Sequence, residues 1–177
     1  MLAKRLCANR EIPPALRGLF FVAEVLCDGV LLLALTFTFA LRLSAVQGPS
    51  MLPTLDHGQW MLITAVPVQL RHGDIVVVSE SGVQLDDHVV KRVIGLPGDV
   101  IHIDFVAGVV YRNGQALHEP NLDPINRPGD VAFPITVQPG SVFVLGDNRN
   151  NSMDSRHSEI GLVDQRFVIG RVLLPSR

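Results

Sequence analysis

Apolar residues are distributed along this chain in two different ways. From Leu19 to Leu41 they run nearly unbroken, and Gly29–Leu41 carries no charge. After residue 44 they come in short alternating or continuous runs, separated by Gly, Pro, Asn and Asp. The first pattern predicts a helix long enough for a bilayer, since about 20 residues at ~1.5 Å each cross a hydrocarbon core of ~30 Å. The second predicts strands and turns.

The strand pattern recurs down the chain. Trp60–Ile63, Gly73–Val78, Val89–Ile94, Val100–Phe105 and Ser141–Leu145 each read as a strand, and Arg166–Leu174 as the last. Val109–Tyr111 leads into Asn113-Gly114, a strong signal for a two-residue hairpin turn. Glu80–Asp87 is a charged loop, residues 117–134 a Pro/Asn/Asp-rich surface excursion, and Asn150–Arg156 a polar loop. None of these stretches has helical periodicity. The expectation is a mainly β, barrel-like domain over residues 44–177, behind one N-terminal helix.

Charge orients the apolar segment. Residues 1–18 hold Lys4, Arg5, Arg10 and Arg17 against a single acid, Glu11. A basic flank before the span favours an N-in orientation, with 44–177 on the extracytoplasmic side of the cell membrane. Glu24 and Asp28 sit inside the span four residues apart, on one face of a turn, where an acid is costly. A cleavable signal peptide with a poor Leu43-Ser44-Ala45 site, an organellar presequence and a buried amphipathic helix are the competing readings. A retained single-pass anchor over 19–43, behind a cytoplasmic basic segment 1–18, is the reading adopted.

Composition narrows the partners. The 177 residues carry a net charge of −2, which gives no footing for nucleic acid. Hydrophobic content of 47% with a mean hydropathy of +0.32 agrees with a membrane segment. Cys7 and Cys27 both precede the β region, so no structural disulfide is expected there. The six histidines lack metal-ligand spacing and no HExxH or cysteine cluster occurs, so neither a metal nor a cofactor is expected.

Candidate chemistry centres on Val89–Asp99. Side chains alternate along a strand, so Lys91 shares a face with Val89 and Val93, and Arg92 points the other way. Desolvation between two valines disfavours the ammonium, and an uncharged lysine can act as a general base. Earlier in the chain, Gln47–Leu55 is a Gly/Pro-punctuated turn in which prolines on either side hold Ser50.

Five stretches, in order, resemble type I signal peptidases, the membrane-bound serine/lysine proteases that remove leader sequences. They are Gly48-Pro49-Ser50-Met51-Leu52-Pro53-Thr54-Leu55, Gly73–Val76, Lys91–Asp99, Tyr111–Pro120 and Gly146–Arg156. The resemblance implies that Ser50 is the nucleophile and Lys91 its general base. It implies that Ser152 hydrogen-bonds and orients the lysine, that Asp147 pairs with Arg92, and that Asp154 pairs with Arg156. Ser50 N–H would be one oxyanion donor; Gly48 stands where some family members carry a serine hydroxyl, and has no side-chain donor. Substrates would be preproteins cut after small residues at the first and third positions before the scissile bond, with the bilayer and the secretion machinery as further partners. Pocket walls are expected from Met51, Leu52, Pro53, Ile63 and Val76. Two other functions use the same features: a self-cleaving Ser/Lys regulator of the SOS-repressor type, and an inactive membrane-tethered binding module.

Overall fold

The computed structural model describes residues 13–64, 69–79 and 88–174; the stretch 1–12 and the loop Glu80–Asp87 lie outside the described residues. The chain divides into a helical unit and a β unit at Phe39/Ala40. Helix α1 spans Pro14–Phe39, with proline at its first position, where a missing N–H costs nothing. Its residues 18–38 have a mean hydropathy of 2.2 and none of that window is covered by other parts of the chain. Large apolar side chains from Leu19 to Phe37 stand exposed all round it. The hydroxyls of Thr36 and Thr38 donate back to the carbonyls of Leu32 and Ala34, at 2.8 and 2.7 Å, which satisfies them within the helix. A helix whose exposed surface is largely apolar, with Glu24 and Asp28 together on one face, is suited to lipid over most of its circumference.

The helix stops short of the expected span. Residues 41–43 belong instead to strand β1 (Leu41–Ala45), paired antiparallel with β2 (Trp60–Thr64). The further strands are β3 (Ile75–Ser79), β4 (His88–Gly95), β5 (Val100–Asp104), β6 (Val109–Arg112), β7 (Gln115–Ala116), β8 (Ile135–Thr136), β9 (Ser141–Leu145), β10 (Val163–Asp164) and β11 (Val168–Leu174). Arg166 and Phe167, expected within the last strand, lie in a 3₁₀ turn over Gln165–Phe167 that Asp164 caps through the N–H of Arg166. Seven strands form an open sheet in the order β1-β2-β11-β3-β4-β9-β10, and four form a second sheet, β7-β6-β5-β8. The domain is mainly β, as expected.

The central strands are buried on both faces, which is why their sequences run continuously apolar. Ile75 and Val77 of β3 join Met51, Leu55, Ile63 and Val90 in one cluster. Val76 and Val78 point the other way, into a cluster with Val93, Val142, Val144 and Val163. A third cluster, built on Ile101, Ile103, Phe143 and Leu145, involves the smaller sheet. At the β6–β7 hairpin, Asn113 (φ 55°) and Gly114 (φ 78°) both take the left-handed conformation that such a turn requires.

Two positions yield measurable consequences. A Cβ on Gly170 would stand 2.0 Å from the carbonyl oxygen of Thr64 on β2, so Gly170→Ala must push two paired strands apart. Overpacking of this kind costs about 1–3 kcal/mol, and the Tm of the full chain in detergent is expected to fall by several degrees. The second is Asp99, which accepts from the N–H of Leu96 (2.8 Å) and from Asn113 (2.7 Å), and meets His72 at 2.6 Å. Burial opposes its ionisation, but those three contacts outweigh it and hold the carboxyl below its usual range. A depressed value means stability that is complete above the unfolded pKa of about 3.9 and lost as pH falls through the folded one. Denaturant titrations of wild type and Asp99→Asn should therefore converge as pH drops from about 6 to about 3.

Candidate active site

The turn that carries Ser50 is pinned at both ends. Val46 donates to the carbonyl of Gln59 at 2.9 Å and accepts from the N–H of Gly58 at 2.8 Å. Gly48, in the left-handed region at φ 80°, donates its N–H to Nδ1 of His57 at 3.0 Å. Beyond the serine, Met51 and Leu55 are fully buried, and the carbonyl of Met51 accepts from the N–H groups of Thr54 and Leu55. Two buried apolar anchors thus leave Ser50, half-buried between them and the solvent, at a fixed height above β4.

Lys91 comes to it from the sheet. Its side chain is 3% exposed and its Nζ lies 3.0 Å from Ser50 Oγ. Val76 is its partner across the β3–β4 register, and Val89 and Val93 flank it on its own face. Strand β9 lies alongside β4 and leads directly into Gly146–Asp147, so the polar loop starts next to the lysine strand.

That loop is docked on the serine turn by its backbone. Asn148 donates its N–H to the Ser50 carbonyl at 3.0 Å and its amide to the Pro49 carbonyl at 3.1 Å. Gly146 is the meeting point. A Cβ there would lie 2.2 Å from Ser152 Oγ and 2.6 Å from the Ser50 carbonyl oxygen, so only glycine lets the three segments approach. Ser152 is thereby brought beside Ser50, its Oγ 3.5 Å from the carbonyl of Met153.

Ion pairs hold the loop from beneath. Arg92, on the opposite strand face from Lys91, forks onto Asp147 with bonds of 2.7 and 2.6 Å and also donates to the Gly73 carbonyl. Hydrogen bonding to Asp147 raises its pKa despite the opposing effect of burial, and the charges of Asp147 and Glu119 add to the rise. Arg156 forks onto Asp154 at 2.7 and 2.9 Å with both residues buried, and reaches the carbonyls of Arg127 and Ser152. Asp154 in turn accepts from the N–H of Gly146 at 3.1 Å.

Sequence reasoning did not assign a third pair. Arg149 is 2% exposed, forks onto Glu119 at 2.6 and 2.5 Å, and donates to the carbonyl of Gly146 at 3.2 Å. Its signal was an arginine set between Asp147 and Asp154 in a motif of short side chains, with Glu119 inside another matched stretch. Thr54, whose hydroxyl donates to Asp147, was likewise read only as part of its motif.

The expected pocket residues do not share one surface. Met51 and Ile63 pack in one cluster, whereas Val76 lies on the other face of β3, fully buried behind Lys91. An odd-even offset along the strand accounts for this: Ile75 and Val77 point toward Met51, and Val76 cannot. Leu52 and Pro53 line a separate depression of about 300 Å³ with Asn121 and Asn148. Among the described residues no cluster of His, Cys, Asp and Glu suits a metal ion.

Residues 20–176 match the family model of signal peptidase, peptidase S26. A signal peptidase I from Bacillus licheniformis is 34% identical over 165 residues, covering 86% of each chain. Signal peptidase I P from Bacillus subtilis subsp. natto is 38% identical over 152 residues, 80% of each chain. A probable signal peptidase I-1 from Synechocystis is 36% identical over 159 residues, 81% of this chain and 78% of its own. With a serine hydroxyl and a buried amine in contact inside the matched region, the chain belongs to the signal peptidase family of S26 peptidases, serine proteases of the signal peptidase I type that act on preproteins bearing signal peptides.

Proposed function

We propose that Ser50 attacks the scissile carbonyl and that Lys91, uncharged, is the base that activates it. The contact of 3.0 Å between Nζ and Oγ carries this reading. Burial among Val76, Val89 and Val93 disfavours the ammonium, and a neutral amine can take the hydroxyl proton without a histidine. The tetrahedral oxyanion would receive the N–H of Ser50, with no side-chain donor at Gly48. Lys91, now protonated, passes its proton to the leaving amine, the C–N bond breaks, and water later hydrolyses the acyl-enzyme. Ser152 orients the lysine. Arg92–Asp147 and Asp154–Arg156 position the loop that carries Ser152.

The substrate, in this reading, is an extended leader segment with small residues at the first and third positions before the cut. It is contacted by Leu52 and Pro53 beside the serine, with the buried Met51 and Ile63 supporting that surface from within. Val76 supports the lysine instead. Helix α1 serves as a single-pass anchor with its basic N-terminal flank inside, which puts cleavage at the extracytoplasmic membrane surface and beside the secretion machinery. Its length and its largely apolar exposed surface support the anchor.

Cleavage of a separate leader-bearing protein by the detergent-solubilised full chain tests the dyad. Ser50→Ala and Lys91→Ala should each lower kcat at least ~10³-fold with Tm little changed for the serine variant, and alanine before the scissile bond should be strongly preferred to a bulky residue. Full activity in either variant would overturn the assignment. The pH profile is an independent check. An ordinary lysine titrates near 10.4 and is only about 0.4% neutral at pH 8, so kcat/KM should rise along a limb well below that value. A limb at the ordinary value would remove the desolvated base.

A further inference from the structure

Strand β4 presents Lys91 to a second space besides the serine. A cavity of about 300 Å³ opens against the lysine, walled by Val78, Val89, Val144 and Phe167. Met153 and Phe167 line it with large apolar side chains that are 51% and 39% exposed, an arrangement that core packing does not require. Two acids, Glu159 and Asp164, also line it; Asp164 is paired with the exposed Arg166, and Glu159 is exposed. The cavity lies on the Val89/Lys91 face of the sheet, opposite the cluster that holds Met51 and Ile63.

Proton transfer determines what can occupy this space. In the mechanism proposed above, on which this inference rests, the proton taken from Ser50 Oγ must reach the nitrogen of the leaving amine. That nitrogen therefore passes within hydrogen-bond reach of Lys91 Nζ. The residues attached to it are the first of the mature chain, and the cavity walled by the lysine adjoins the position that this nitrogen must take. The acyl half of the substrate remains bonded to Ser50. We propose that this cavity is a leaving-group subsite: it takes an apolar side chain from one of the first two residues after the cut and rejects an acidic one. The apolar walls supply the first preference. Glu159, the acid at the rim that forms no ion pair among the described residues, supplies the second, since two carboxylates brought together repel.

The test uses the full-length enzyme in detergent and a series of substrates with one unchanged alanine-containing leader end. The two residues after the cut are leucine, methionine, phenylalanine, glycine or aspartate, and products are identified by mass so that a shifted cut is seen. Apolar residues should give kcat/KM about 10-fold or more above glycine at one of the two positions, and aspartate about 10-fold below it. The apolar-to-glycine ratio should fall at least ~5-fold in Met153→Ala/Phe167→Ala, and the aspartate penalty should shrink in Glu159→Gln. A flat wild-type profile, or ratios unmoved in variants of unaltered Tm, overturns the subsite while leaving the Ser50–Lys91 assignment standing. Cleavage that persists in Ser50→Ala overturns that assignment and the subsite with it.

Discussion

Both backbone polar groups of Gly146 are bonded to members of ion pairs: its N–H to Asp154, its carbonyl to Arg149. Everything at the site depends on that clamp. Ser50 and Lys91 are 41 residues apart in the chain, and the turn and strand that carry them meet over the segment just after β9. A buried charge whose partner is removed costs about 3–5 kcal/mol, far more than an exposed pair contributes. Asp154 and Arg156 are therefore worth more as a positional device than as stabilising contacts, since a well-packed apolar pair could match their contribution to stability. What an apolar pair could not supply is the acceptor for Gly146, the donor to Ser152's carbonyl, and hence a single position for the loop.

Alternation along two neighbouring strands divides the labour. On β4, Val90 faces the cluster under the serine turn, Lys91 faces the opposite valines, and Arg92 turns back to grip Asp147. On β3, Val76 closes the wall behind the lysine. One residue of slip in this register would exchange the amine and the guanidinium. Such a slip would bury the guanidinium among the valines and strip Asp147 of its partner, so the register is held by these polar contacts together with core packing.

Much of this was legible in the sequence because period-two alternation is local. The lysine strand, the Asn113-Gly114 turn and the loop after Leu145 each follow from a handful of adjacent residues. Strand β1 was not legible: Leu41-Arg42-Leu43 follows directly on an apolar run, and its partner, Trp60–Thr64, is distant in the sequence. The partnership of Arg149 with Glu119 joins residues 30 apart across an irregular excursion, which no periodicity reports. The face to which Val76 points was not legible, because a strand buried on both faces shows an unbroken apolar run, and such a run does not say which residue points where.

The depth of the Asp154–Arg156 pair has a consequence for the medium in which the enzyme works. Counterions weaken attraction between charges that they can surround, over a Debye length of about 8 Å at physiological ionic strength. At 0% and 1% side-chain exposure, this pair is beyond their reach, whereas Asp164–Arg166, at 34% and 84%, is bathed in them. The scaffold of the site is thereby insulated from changes in salt, and brine would loosen the periphery of the domain before it disturbed the chemistry.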